Sequence, residues 1–82
     1  MTHTHAHAHA VEAMGDAEKL PILLEHWIEH NASHAAEFEK WAERAAAAGL
    51  ADVAGDITAA ADDLGEATKR LQAALTRLAS DG

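Results

Sequence analysis

Two long segments of the chain repeat apolar residues at helical spacing, and Gly49 lies between them. In the first segment, apolar or small residues recur mostly three or four positions apart, which places them along one face of an α-helix. These residues are Leu20, Leu24, Ile28, Ala35, Phe38, Ala42 and Ala45. The pattern predicts a first helix over roughly residues 17–48, ended by Gly49 with the apolar Leu50 behind it.

The second segment carries a stricter repeat, with alternating steps of four and three residues as in a coiled coil. Its members are Val53, Ile57, Ala60, Leu64, Ala67, Leu71, Ala74 and Leu78. This repeat predicts a second helix over roughly residues 52–79. Because about three residues join the two helices, they must run antiparallel. We therefore expect an all-α, coiled-coil-like helical hairpin over residues 16–82.

Folding the chain at Leu50 pairs residues whose numbers add up to roughly 99, so that large side chains mostly face small ones or leucine. In this register Asn31 faces Thr68, a polar pair of the kind that fixes alignment within a seam. Gly65 falls opposite His34, where we expect the missing side chain to make room for a bulky neighbour.

Two helices of this length bury little apolar surface, so a lone hairpin is only marginally stable. Pairing two hairpins into a four-helix bundle covers both apolar stripes. Most soluble oligomers are twofold dimers. The sequence therefore leaves two expected states, a single hairpin and a homodimer.

The start of the first helix is marked by Asp16, a favoured N-cap residue. Pro21 follows near the start, where its missing N–H does least damage, and it predicts a kink or a fresh start of the helix. Residues 1–15 include a stretch, residues 3–9, in which histidine alternates with small residues, and they offer nothing for a core. They are predicted to form a flexible, histidine-rich tail.

Composition removes several classes of function. The 82 residues include 14 acidic and 6 basic side chains, for a net charge of −8, which argues against nucleic-acid and membrane partners. The absence of cysteine excludes disulfides and thiolate metal sites. A bare hairpin with three aromatic residues of the Phe, Trp and Tyr class offers no enclosed pocket, so we do not expect an enzyme. No targeting or membrane-spanning pattern is visible, and a cytoplasmic location is expected.

Histidine is the unusual component, with seven in so short a chain. His26, His30 and His34 recur every fourth residue and so share one helix face, with Glu37 on the same side. Neighbouring histidines at this spacing have Cβ atoms about 5–6 Å apart and are able to bind one metal ion together. The outer two are separated by about 12 Å of helix rise. We therefore expect one ion to take two adjacent histidines, with further ligands from the tail, the second helix, a partner chain or water.

The tail has a histidine pattern of its own. Four histidines occupy every second position, which in an extended chain directs their rings to one side about 6–7 Å apart. They are His3, His5, His7 and His9. Such a ladder binds first-row transition metals, and the tail is long enough to reach the first helix. Whether tail and helix share one ion is left open by the sequence.

The donor set narrows the choice of metal. Without cysteine, and with few methionines, Cu⁺ is disfavoured, and imidazole-rich sites do not suit Mg²⁺ or Ca²⁺. Ni²⁺, Zn²⁺, Co²⁺ and Cu²⁺ remain, and imidazole affinity alone does not separate them.

A resemblance favours nickel. The run HWIEHNASHAAEFEKWA, residues 26–42, resembles the His-Trp-x-x-His-Asn-x-x-His pattern of small histidine-rich bacterial and archaeal proteins linked to nickel. The matching positions are His26, Trp27, His30, Asn31, His34, Glu37, Phe38 and Trp41. The resemblance implies nickel storage, buffering or delivery, with a nickel-enzyme maturation protein as a partner.

A second hypothesis belongs to a different class. The heptad seam is also typical of a coiled-coil interaction or regulatory module whose histidines respond to metal or pH. A metal carrier binds Ni²⁺ tightly as an isolated protein, whereas an interaction module binds metal weakly and needs a partner helix.

Overall fold

The fold is an antiparallel pair of long helices. A computed structural model describes residues 15–81 and places α1 at Asp16–Ala47 and α2 at Ala51–Asp81, packed against each other along their length. The predicted all-α helical hairpin is thereby confirmed, with helix bounds within two residues of those expected. The predicted tail, apart from Gly15, lies outside the described residues. Neither described helix carries an apolar stretch of the length that a bilayer crossing requires.

The first turn of α1 differs from the prediction. Asp16 is the first helical residue, and Gly15 occupies the N-cap position in an extended conformation. The Glu18 carboxylate accepts the Gly15 N–H at 3.1 Å, so the cap comes from a side chain inside the helix rather than from Asp16. The helix also runs without interruption through Pro21, and the alternative of a fresh start there is wrong.

The turn between the helices follows the sequence closely. Gly49 has a φ of 83°, the left-handed region that glycine adopts without a steric penalty. The Leu50 N–H donates to the Ala45 carbonyl at 2.9 Å, and the Gly49 N–H donates to the Ala46 carbonyl at 3.0 Å. These two bonds form a Schellman motif, which ends α1 and reverses the chain.

The core is a narrow seam that is rich in alanine. Its most buried members are Leu24, Ala42, Ala54 and Ala61. On α2 most of the predicted seam residues are half-buried, but two of them, Val53 and Ala67, are exposed. Ala54 and Ala61, each next to a predicted position, are the most buried residues instead. Leu64, Leu71 and Leu78 belong to both the predicted and the observed seam. Alanine occurs in both seams at the positions that differ between them, so apolar spacing alone does not decide between the two.

The helix alignment agrees with the predicted register. Trp41 and Phe38 border the same surface depression as Ile57 and Ala60, whose numbers add up with theirs to values close to 99. The prediction for Gly65 is wrong, because a Cβ built there meets no atom within 4 Å.

The predicted polar pair lies at the seam without bonding across it. Asn31 and Thr68 are both half-buried, as positions inside the seam should be. Among the described side chains no hydrogen bond joins these two, and none of the buried polar atoms lacks a partner. The pair therefore contributes to alignment through position and packing rather than through a bond of its own.

Candidate metal site

The histidines of α1 lie on the exposed surface of the hairpin, one flank away from the seam. His26, His30 and His34 are all solvent-exposed, and α1 is helical throughout this stretch. As the four-residue spacing predicts, the three rings lie in a row along one side of the helix.

His30 and His34 are brought into direct contact. Their Nε2 atoms lie 3.0 Å apart, within hydrogen-bond distance, so one ring donates its N–H and the other accepts. The ring centroids are 4.4 Å apart and the planes are nearly perpendicular, at 87°. The two Nε2 atoms are therefore close enough for both to bind one metal ion, once the hydrogen bond between them is given up and the rings turn toward the ion.

His26 is placed differently. Its ring stacks on that of His30 with centroids 5.9 Å apart and an interplanar angle of 21°. Among the described side chains, no hydrogen bond joins the His26 ring to that of His30. The structure therefore brings together the second and third histidines, and leaves the first as a neighbour of the pair.

Glu37 is near the pair but engaged elsewhere. One of its carboxylate oxygens accepts the indole N–H of Trp41 at 3.1 Å. The guanidinium of Arg44 in turn lies 4.6 Å from the centre of the Trp41 ring, a cation–π contact. This chain of contacts was not predicted, although the four-residue spacing of Glu37 and Trp41 is the signal that would have found it.

Phe38 ties the pair to the hairpin interior. Its ring is half-buried at the seam and lies 6.1 Å from that of His34, centroid to centroid. An imidazole that rests against a packed aromatic ring has fewer rotamers open to it than one on a bare helix. The packing of α1 on α2 thus helps to hold His34 toward His30.

The pair is an incomplete ligand set by itself. Within residues 15–81, no group of three or more histidine, aspartate or glutamate side chains is arranged to hold one ion. The chain's described part therefore supplies two convergent imidazoles, with His26 and Glu37 close by. The predicted tail ligands His3, His5, His7 and His9 lie outside the described residues.

The structure defines an all-α helical hairpin with a pair of adjacent, exposed histidines on α1. A family model described as a domain of unknown function, DUF8180, matches residues 20–78, which include most of both helices and the histidine pair. The chain belongs to this family. No curated protein and no solved structure gives a significant match to it.

Proposed function

We propose that the protein binds a divalent transition metal, with nickel as the intended ion, for storage, buffering or delivery. The observation that carries the proposal is the 3.0 Å separation of the His30 and His34 Nε2 atoms on an exposed helix face. Because the two nitrogens are already neighbours, binding an ion requires a turn of the two rings rather than a change in the course of the helix.

The separation is compatible with chelation. Imidazole nitrogens bind such ions at about 2.0–2.1 Å, so two of them at right angles around one ion lie about 3 Å apart, and at the tetrahedral angle about 3.4 Å. Right angles are typical of the square-planar and tetragonal sites of Ni²⁺ and Cu²⁺. The observed distance supports this kind of coordination, and the resemblance to nickel-linked histidine-rich proteins favours Ni²⁺ over Cu²⁺, Zn²⁺ and Co²⁺.

Further ligands complete the proposed site. His26 and Glu37 lie about one helical turn to either side of the pair. If the Glu37 side chain rotates away from Trp41, the carboxylate oxygen that accepts the indole N–H becomes free to bind the ion. The tail histidines His3, His5, His7 and His9 supply additional, more loosely organised binding capacity. The role is binding without catalysis, and the expected recipient of the metal is a nickel-enzyme maturation protein in the cytoplasm.

Calorimetric titration of the full chain with Ni²⁺, Zn²⁺, Co²⁺ and Cu²⁺ in separate runs tests the proposal. We expect a tight site for Ni²⁺ while the far-UV circular dichroism of the helices changes little. Crystallography of the nickel complex then has to show an ion bonded to Nε2 of His30 and His34. An ion that bonds neither ring, or binding no tighter than that of a free histidine solution, contradicts the proposal.

A second candidate, the coiled-coil interaction or regulatory module, is favoured by a different observation. Within residues 15–81, seven large apolar side chains are more than about one-third exposed, including Trp27 and Trp41. Exposed apolar surface on this scale is typical of a face that another helix covers. Weak Ni²⁺ binding combined with helix formation that requires an added partner protein favours this candidate over the metal carrier.

A further inference from the structure

One flank of the hairpin carries both the histidine pair and most of the exposed apolar residues. On α1 this flank consists of the residues one position before the seam residues, namely Leu20, Leu23, Trp27, His30, His34, Glu37, Trp41 and Arg44. On α2 it comprises Val53, Asp56, Ala60, Asp63, Ala67, Arg70, Ala74 and Arg77. We call these residues together the histidine face.

The two flanks lie on the same side of the molecule. Trp41 of α1 borders one surface depression together with Asp56 and Ala60 of α2. The depression on the other side of the seam is bordered instead by Glu39, Glu43, Gly55 and Thr58. The histidine face is therefore continuous across both helices, and the opposite face is acidic and built from small residues.

The large apolar side chains of the histidine face are more exposed than those of the seam. Leu24 is the one large side chain among the buried residues of the described part, and the others are alanines. Leu20, Leu23, Trp27, Trp41 and Val53 all lie on the histidine face with between 37% and 48% of their surface exposed. A hairpin with so small a core gains most of its remaining stabilisation by covering this face.

On α2 the charged residues of the histidine face occur in an order that matches opposite charges when a second copy runs antiparallel to the first. Asp56, Asp63, Arg70 and Arg77 follow one another at seven-residue intervals, two acids and then two bases. Seven residues correspond to about 10 Å along a helix, too far for these side chains to pair within α2. Among the described residues the ion pair formed is that of Lys69 with Glu66, and none of these four takes part in one. A second copy of α2 that runs in the opposite direction offers two bases opposite the two acids and two acids opposite the two bases. A twofold axis between the two copies produces this arrangement.

A twofold axis placed midway between His30 and His34 also brings two large apolar residues of the face together. Leu23 lies seven residues before His30, and Trp41 lies seven residues after His34, so the axis sets each opposite the other in the second copy. The axis also crosses the middle of α1, Asp16–Ala47, so that two α1 helices overlap over their whole length.

The same axis reaches α2 at the middle of its charge series. Because facing residues of the two helices have numbers that add up to about 99, the midpoint of the histidine pair is level with residue 67 or so of α2. The midpoint between Asp63 and Arg70 lies within one residue of this level. Asp63 then faces Arg70 of the second copy, and Asp56 faces Arg77 of the second copy.

We propose that two copies of this chain pack through their histidine faces into an antiparallel four-helix bundle, and that His30 and His34 of both copies bind one shared metal ion on the twofold axis. The inference rests on the proposed metal-binding function. It accounts for the incomplete ligand set of a single chain, because four imidazole nitrogens fill a square-planar or tetrahedral site. A metal carrier of this kind loads by dimerising and releases its ion when the two copies separate.

Sedimentation equilibrium and native mass spectrometry of the full chain test the shared site. With half an equivalent of Ni²⁺ per chain, we expect a dimer that carries one ion, and a dimer dissociation constant at least tenfold lower than without metal. His30→Ala combined with His34→Ala should remove this effect of metal. One tightly bound ion per monomer, with the mass unchanged by Ni²⁺, overturns the shared site while leaving the proposed function intact.

Charge reversal tests the orientation of the two copies. Asp63→Arg places like charges together twice in the dimer, and we expect dimerisation to weaken at least tenfold. Adding Arg70→Asp in the same chain restores the opposite charges and should recover dimerisation. Asp62→Arg, one position away on the opposite face, is the matched control and should change little.

The remaining outcomes are also decisive. If the double reversal does not recover dimerisation, or if the control weakens it as much, the proposed arrangement is wrong. If the chain dimerises and responds to charge reversal but binds no Ni²⁺ in any form, the proposed function fails and the shared ion fails with it.

Discussion

The Nε2 atoms of His30 and His34 lie 3.0 Å apart, whereas the rings of His26 and His30 are stacked with centroids 5.9 Å apart. Both pairs have the same four-residue spacing on the same helix, so spacing does not explain the difference. His34 rests against the half-buried Phe38 ring, which makes the third histidine the one whose orientation depends on packing against α2. This asymmetry leads directly to an order of importance among the three.

His30→Ala and His34→Ala should each weaken Ni²⁺ binding at the tightest site by at least about tenfold, since each removes one of two convergent ligands. His26→Ala should weaken Ni²⁺ binding less, because His26 is stacked on His30 and is not one of the two rings whose Nε2 atoms lie together. Isothermal titration calorimetry of the three variants measures the difference. His26→Ala is the matched control, and an equal loss in all three variants contradicts the assigned pair.

Deletion of residues 1–10 should lower the number of Ni²⁺ ions bound per chain but leave the tightest site in place. The tail histidines His3, His5, His7 and His9 provide capacity, while the helix pair is organised by the fold. Calorimetric stoichiometry and affinity, compared with those of the full chain, report the two effects separately. Loss of all binding on deletion assigns the function to the tail and contradicts the helix-centred site.

The fold was predictable because its signals are local and repeated. Apolar spacing indicated both helices, and Gly49 followed by Leu50 indicated the turn that the structure shows as a Schellman motif. Part of the α2 seam was predicted one residue out of place, at Val53 and Ala67, because small residues occupy the neighbouring positions and spacing gives no preference between them. Burial of Ala54 and Ala61 is decided by the facing helix, which helix periodicity does not encode.

Side-chain spacing predicted which residues of the candidate site share a helix face, but not which of their rings contact each other. The spacing of His26, His30 and His34 identified the helix face and the need for two adjacent rings. Which two converge depends on rotamers and on contacts such as that of His34 with Phe38. The engagement of Glu37 by Trp41 likewise follows from a rotamer, and it changes Glu37 from a free ligand into one that must first exchange a partner.

Gly65→Ala should stabilise the protein by about 0.5–1 kcal/mol, because glycine inside a helix costs about that much relative to alanine and the added methyl meets no atom within 4 Å. Gly49→Ala is the informative contrast. It also meets no atom within 4 Å, but at a φ of 83° it should destabilise by about 1–2 kcal/mol. Urea unfolding followed by circular dichroism measures both, and stabilisation by Gly49→Ala contradicts the assigned turn.

Leu24→Ala should destabilise the hairpin by about 2–5 kcal/mol, because Leu24 is 5% exposed and is the large side chain most deeply placed in the seam of the described residues. The other buried residues of the described part are alanines, whose side chains are too small to fill the space left behind. Ile22→Ala, two residues away and 56% exposed, is the matched control and should change the free energy of unfolding by no more than about 0.5 kcal/mol. Both variants are compared by urea unfolding at one protein concentration, because a dimer's stability depends on concentration. Equal losses in the two variants indicate that the seam of α1 is not the one described, since burial is what distinguishes these two neighbours.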